Sequence, residues 1–212
     1  MIFKKYSMSK ILLFFLLFFS IVYAQEIKTD SIATDNNAQN LKFNYKQLII
    51  PTVFITYGAL GFANGQVKVW NEDIQKEVIS KNHSTTSLDD FMTFVPAASV
   101  YVLNLGGLKG KNNLKNETVI LVTSFAITTA TVLTLKYTTN ELRPDGSSND
   151  SFPSGHTAIA FAGAEFLYQE YKDKSIWYGI GGYTIATATG MLRVYNNKHW
   201  LSDVVAGAGS VK

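Results

Sequence analysis

The chain has 212 residues, which predicts one domain with an extra segment, and its apolar (47%) and charged (17%) fractions exclude an intrinsically disordered protein. It has no cysteine and three histidines, so disulfides, thiolate nucleophiles and Cys-based metal sites are excluded. Three lysines before residue 25 account for the whole net charge of +3, and the balanced remainder argues against nucleic acid as a partner.

The N-terminus has the pattern of a secretory signal peptide. Lys4, Lys5 and Lys10 precede an apolar run at residues 11–22, and Ala24 offers a small residue for cleavage. As a helix this run would reach about 18 Å, short of the roughly 30 Å hydrocarbon core of a membrane. Residues 1–24 are therefore predicted to be a signal peptide, with an uncleaved signal anchor as the alternative. The polar residues 25–47 are predicted to be a linker that begins outside the cytoplasm.

The rest of the chain predicts an all-α, membrane-associated helical bundle. Apolar stretches lie at residues 48–62, 91–108, 119–135, 158–168 and 176–192, and a last one begins at residue 204. Their frequent Gly, Ala, Ser and Thr favour close helix packing. Val67, Trp70, Ile74 and Val78 recur at helical spacing, which indicates an amphipathic interfacial helix. Residues 48–90 are thus predicted to form interfacial or re-entrant helices, and residues 91–212 the main bundle.

Lysines in two loops predict the orientation of this bundle. The loop at 109–115 carries three lysines and no acid, and the loop at 172–174 carries two lysines. The positive-inside rule places both loops in the cytoplasm, so that the loops at 136–156 and 193–203 face outward. This arrangement requires that residues 48–62 do not cross the membrane.

The first of three polar motifs lies between Lys136 and Pro144. Lys136 and Arg143 are seven residues apart, about two helical turns, so they are predicted to share one face at the end of an apolar helix. Pro144 favours termination of that helix. The alternative is that Lys136 and Arg143 bind no ligand and only extend their charged ends from a membrane helix to the water interface. Asp145 and Asp150, which follow, are predicted to be solvated loop residues.

The second motif lies at the start of the helix predicted from about residue 157. Ser154 is placed to cap that helix, and Gly155 lets a ligand approach the backbone closely. The free N–H groups at a helix start favour an anion, and His156 would stand beside it. An ordinary helix start with a solvated histidine is the alternative.

The third motif joins Arg193, His199 and Asp203. His199 and Asp203 are four residues apart, so on a helix the carboxylate would accept a hydrogen bond from the imidazole. That bond would fix the tautomer and leave the other ring nitrogen free as a nucleophile. A surface ion pair at a helix start is the alternative.

Together, K-x6-R-P, P-S-G-H and R-x5-H-x3-D resemble the three-part signature of the type 2 phosphatidic acid phosphatase (PAP2) and vanadium haloperoxidase superfamily, over about residues 90–209. One departure is Leu192, where the family usually has serine. The resemblance implies that His199 attacks phosphorus, that Asp203 orients it, and that His156 serves as general acid and base. It further implies phosphate binding by the remaining motif residues, Lys136, Arg143, Ser154, Gly155 and Arg193, with no metal and no cofactor.

The resemblance implies a phosphatase for lipid phosphate monoesters or diphosphates, with its site at the periplasmic face of the membrane and membrane lipids as its surroundings. A soluble periplasmic acid phosphatase, a vanadium haloperoxidase and an inactive lipid-binding protein are the alternatives. The sequence indicates no oligomeric state. Because the apolar stretch from residue 204 runs only to the last residues of the chain, its final helix is expected to be truncated.

Overall fold

The computed structural model of the chain describes residues 48–80 and 85–210. The predicted signal peptide at 1–24 and almost all of the predicted linker at 25–47 lie outside these residues. The described chain forms helices α1 (Ile49–Ala63), α2 (Gly65–Ser80), α3 (Leu88–Met92), α4 (Val95–Leu105), α5 (Leu114–Thr139), α6 (Gly155–Tyr171), α7 (Trp177–Tyr195) and α8 (Leu201–Gly209). No strand occurs within the described ranges, so the prediction of an all-α fold is confirmed.

The apolar stretch at 91–108, expected to be one helix, is divided between α3 and α4. Pro96 explains the break, because its ring has no N–H and would collide with the carbonyl group of Met92 in a continuous helix. Pro96 instead occupies the first turn of α4, where a proline is tolerated. The division leaves α3 as a separate short helix at the edge of the bundle, in contact with α6 and α7.

Helix α6 lies at the centre of the bundle, in contact with α4, α5, α7 and α8. Its buried side chains are mostly small, including Ala158, Ala160 and Ala164. A Cβ atom added at Gly163 would lie 3.0 Å from the backbone nitrogen of Ala97, so α4 approaches α6 at backbone distance. The small residues therefore serve the close helix packing that the sequence predicted.

Helix α1 packs along α8 through glycines. A Cβ atom added at Gly58 would lie 2.3 Å from the Cβ of Ala206, and one added at Gly61 would lie 2.2 Å from Ser202 Oγ. From α2, the Asn71 amide donates a hydrogen bond to the same Ser202 hydroxyl (2.7 Å). The first two helices thus hold α8 from one side. Their interfacial or re-entrant position in a membrane stays a prediction.

Helix α5 is long and apolar enough to cross a membrane, and it alone meets that description within the described ranges. Its 26 residues span about 39 Å at ~1.5 Å per residue. In its most apolar stretch of 18 residues, only 11% of the residues are buried within the protein. This helix therefore presents an apolar surface of the kind that lipid covers.

The loops at the two ends of the bundle differ in composition. At one end, Asn112 donates through its backbone and its amide to the Glu170 carboxylate (2.9 and 2.6 Å), which joins the lysine-bearing loop to the end of α6. The three polar motifs lie at the other end, where α5 finishes and α6 begins. The lysine-bearing loops and the motif loops therefore lie at opposite ends, as expected, while their sides of a membrane stay a prediction.

Candidate active site

The three motifs converge at one end of the bundle. The end of α5 supplies Lys136, the start of α6 supplies Ser154, and α8 supplies Asp203. The backbone N–H of Ser154 donates to the carbonyl of Asp203 (3.0 Å), and the hydroxyl of Ser151 donates to the Asp203 carboxylate. These bonds tie the second motif to the third.

The expectation that Lys136 and Arg143 share a helical face is wrong. Helix α5 ends at Thr139 because Asn140 adopts a left-handed conformation (φ 50°, ψ 41°), and Arg143 lies in the following loop. The two cations meet through Asp150 instead. Lys136 donates to the Asp150 backbone carbonyl, and Arg143 Nη2 donates to the Asp150 carboxylate (3.1 Å).

Asp145 and Asp150 lie in a loop, as predicted, but each is also ion-paired, which the sequence did not indicate. Asp145 pairs with Lys198 (2.7 Å), and Asp150 pairs with Arg143 (2.9 Å to Nε). Burial alone would raise the pKa of Asp150, but the Ser148 hydroxyl and the two motif cations outweigh it and lower that pKa. Asp150 therefore stays ionised and fixes Arg143.

Ser154 occupies the N-cap position of α6, but its side chain does not cap the helix. Its buried hydroxyl instead accepts a hydrogen bond from Thr157 Oγ1 (2.9 Å). A Cβ atom added at Gly155 would make only ordinary contacts, 3.5 Å from Val132 and 4.0 Å from Lys136 Cε. No neighbouring atom therefore requires a glycine at this position, which lies beside Lys136 at a helix start that favours anions.

His199 and Asp203 lie together, but not on one helix. Helix α8 begins at Leu201, so His199 belongs to the preceding turn, and its Nδ1 lies 3.7 Å from Asp203 Oδ2. That distance is too long for the predicted hydrogen bond. The same carboxylate oxygen already accepts the Trp200 backbone N–H (2.9 Å) and the Ser151 hydroxyl. Nδ1 has no hydrogen-bond partner in the described part of the chain.

The surroundings keep His199 neutral. Burial, and then the positive charges of the three motif cations, hold the pKa of His199 well below its usual range. A backbone hydrogen bond with Ser151 opposes this decrease. Burial raises the pKa of Asp203 to about 6, although two donors stabilise its charged form. An uncharged imidazole surrounded by cations retains a lone pair, which suits it to nucleophilic attack.

Residues 117–209 match the family model described as the PAP2 superfamily, and all of the predicted site residues lie within this range. The predicted resemblance to the PAP2 superfamily is confirmed over these residues. A curated relative, the lipid A 1-phosphatase of Porphyromonas gingivalis, is 39% identical over 124 residues. The match takes in 58% of this chain but only 28% of that protein, so the chain spans little more than a quarter of its relative.

A solved structure resembles this chain over most of its length. It is the crystal structure of a transmembrane PAP2-type phosphatidylglycerolphosphate phosphatase from Bacillus subtilis, with a TM-score of 0.57 and 24% sequence identity. The match covers 78% of this chain and 90% of that one. The prediction of a PAP2-type helical bundle is confirmed.

Two acidic residues of the site lie outside the PAP2 match, on α3, and sequence reasoning missed both. Asp89 Oδ2 accepts a hydrogen bond from Arg193 Nη1 (2.5 Å), and both side chains are buried. Asn196 donates to the other Asp89 oxygen (3.0 Å). Asp90 Oδ1 lies 2.9 Å from His156 Nε2 and 3.7 Å from Arg193 Nη1.

The Asp89 carboxylate holds Arg193 in place. Burial alone would raise the pKa of Asp89, but the guanidinium outweighs burial and keeps that pKa below its ordinary value. Arg193 Nε, also buried, has no hydrogen-bond partner among the residues described, and it is therefore free to donate to an oxyanion. The signal in the sequence was two adjacent acids that directly precede an apolar run, since a buried carboxylate requires a cationic partner.

Metal ligation has little support in the donor set of this site. Across residues 48–80 and 85–210, no group of three or more His, Cys, Asp or Glu side chains is arranged to hold a metal ion. The positive charge that acts on His199 comes from Lys136, Arg143 and Arg193.

Proposed function

We propose that this chain is a phosphatase that hydrolyses phosphate monoesters or diphosphates of membrane lipids through a phosphohistidine intermediate. One observation carries the proposal: His199 is buried with Asp203 on its Nδ1 side, and three cations help to lower its pKa. This arrangement provides charge stabilisation for a phosphoryl group and a nucleophile directed at it.

In the first half-reaction, His199 Nε2 attacks phosphorus and the bond from phosphorus to the leaving oxygen breaks. Lys136, Arg143 and Arg193 compensate the charge on the equatorial oxygens, and the N–H groups at the start of α6 add oriented dipoles. His156 donates a proton to the leaving alkoxide. As positive charge develops on His199, the Asp203 carboxylate stabilises it through Nδ1.

In the second half-reaction, water hydrolyses the phosphohistidine. His156, now neutral, takes a proton from the water as the water oxygen attacks phosphorus. The bond from phosphorus to Nε2 breaks and its electron pair returns to the His199 imidazole. Inorganic phosphate is released, and both histidines regain their starting states.

Three observations support a lipid substrate. Helix α5 exposes an apolar surface of membrane-crossing length. The curated relative is a lipid A 1-phosphatase, and the similar solved structure is that of a phosphatidylglycerolphosphate phosphatase. The predicted signal peptide and the lysine-bearing loops support a site on the periplasmic side of the membrane.

The test is phosphate release by the purified chain in detergent, in the presence of EDTA. The panel contains lipid A 1-phosphate, phosphatidic acid, phosphatidylglycerol phosphate, undecaprenyl diphosphate and p-nitrophenyl phosphate. We expect turnover of at least one lipid that exceeds turnover of the soluble ester and is lost in His199→Ala. His83→Ala is the matched control, because His83 is the one histidine outside the three motifs.

A phosphoenzyme that is labile in acid and stable in alkali, trapped in wild type and absent from His199→Ala, would establish the covalent step. Preferential turnover of p-nitrophenyl phosphate, with release of the chain from membranes by carbonate, would favour a soluble acid phosphatase. Turnover retained in His199→Ala would refute the assigned nucleophile.

A further inference from the structure

The site contains a second pairing of a carboxylate with an imidazole. His199 has Asp203 at 3.7 Å, whereas His156 has Asp90 at 2.9 Å from Nε2. Asp90 lies on the short helix α3, which Pro96 separates from α4, and neither the family model nor the three motifs include it. Sequence reasoning gave Asp90 no role.

We propose that Asp90 is a positioning residue for His156: its carboxylate accepts the Nε2–H and stabilises the imidazolium that protonates the leaving group. The inference rests on the acid–base role of His156 in the proposed function. With Nε2–H held by Asp90, the proton passes from Nδ1 to the leaving oxygen as the phosphorus–oxygen bond breaks. In the second half-reaction Nδ1 takes a proton from water.

The charges around His156 make such a partner necessary. Arg193 from α7 faces it with a positive charge, and Lys136 from α5 lies beside the adjacent Gly155. Burial and then Arg193 lower the pKa of His156, which disfavours the protonated form that a general acid requires. The opposing negative charges come from Asp90, in direct contact, and from Asp89, which Arg193 already engages.

The same geometry distinguishes the two acids of α3. The Asp89 side chain is 2% exposed and hydrogen-bonded to Arg193, so it maintains the phosphate-binding guanidinium. The Asp90 side chain is 62% exposed and its nearest cationic partner is His156. Loss of Asp89 should therefore affect binding and stability, whereas loss of Asp90 should affect proton transfer.

The test is a pH titration of His156 by NMR, with histidine labelled in ¹³C and ¹⁵N. The chain has three histidines, so the spectrum is simple, and His156→Gln assigns the signal. In Asp90→Asn we expect the His156 midpoint to move to lower pH, and the neutral ring to lose its preference for the Nε2–H tautomer. Asp73→Asn is the matched control, because Asp73 on α2 is also 62% exposed but pairs with Lys76.

Phosphate release gives the second readout. In Asp90→Asn the basic limb of the kcat profile should move to lower pH, with kcat at the wild-type optimum about tenfold lower, because the general acid supplies part of the rate. KM should stay within about twofold, and Asp90→Glu should restore part of the limb. A purely structural role would not move the limb.

The outcomes separate this inference from the proposed function. An unchanged His156 midpoint in Asp90→Asn overturns the pairing, whether or not phosphate is released. A shifted midpoint with an unchanged basic limb overturns its catalytic relevance. A wild-type chain without phosphatase activity overturns the proposed function, while the titration still decides whether Asp90 holds His156.

Discussion

Replacing Asp89 by asparagine should cost far more stability than the same change at the surface. The substitution keeps the shape of the side chain but leaves the Arg193 guanidinium, 8% exposed, without its direct counter-charge. Breaking a buried ion pair from one side typically costs about 3–5 kcal/mol. Asp90 remains 3.7 Å from Arg193 Nη1 and compensates in part, so we expect the lower end, about 3 kcal/mol.

The assay is thermal unfolding in detergent, followed by the fluorescence of the three tryptophans. For a chain of this size, about 3 kcal/mol corresponds to a Tm lower by about 6–12 °C. Asp73→Asn breaks an exposed pair with Lys76 and should stay within about 0.5 kcal/mol of wild type. A difference of less than about 2 °C between the Tm of Asp89→Asn and that of Asp73→Asn would refute the argument from burial. This threshold is about one third of the smallest expected shift.

Two further substitutions test the site. Gly155→Ala should leave the Tm unchanged, because its Cβ meets only ordinary contacts, yet lower kcat/KM about tenfold by obstructing the phosphoryl group at the helix start. Undiminished kcat/KM would show that no ligand approaches there. Because burial raises the pKa of Asp203 from 3.8 to about 6, native protein binds its proton more tightly than unfolded chain, and stability falls as pH rises between these values. The Tm of wild type relative to Asp203→Asn should therefore decline from about pH 4 to about pH 6 and then level off, which corresponds to a loss of at most about 3 kcal/mol in the free energy of unfolding; a constant difference would contradict the raised pKa.

The motif residues could be predicted from sequence because each motif combines characteristic residue types at a spacing that local helix geometry explains. Helix starts, apolar periodicity and the i,i+4 relation are local properties, and they placed Ser154, His199 and Asp203 close to their observed positions. The errors were also local. Helix α5 ends at Thr139, so Arg143 lies in the following loop. The seven-residue spacing of Lys136 and Arg143 does not indicate that Asn140 adopts a left-handed conformation.

The acids that complete the site could not be found in the same way. Asp89 and Asp90 contact residues more than about sixty positions away in sequence, and such contacts depend on how α3 docks onto α6 and α7. Asp150 lies closer, but its pairing with Arg143 depends on the turn of a loop. Local patterns identify side chains with the right chemistry, whereas tertiary packing decides which charges compensate them.

The glycine contacts between α1 and α8 have a consequence for the order of assembly. Gly58 and Ala206 touch although they are roughly 150 residues apart, so this contact closes one of the longest loops in the described chain. During synthesis, α1 is made long before α8. Its glycine-lined surface therefore stays uncovered until α8 has been synthesised. Since α8 carries Asp203, the bonds of Asp203 with Ser151 and Ser154 form only when α8 docks. Nascent chains should therefore remain inactive until the whole bundle is in place.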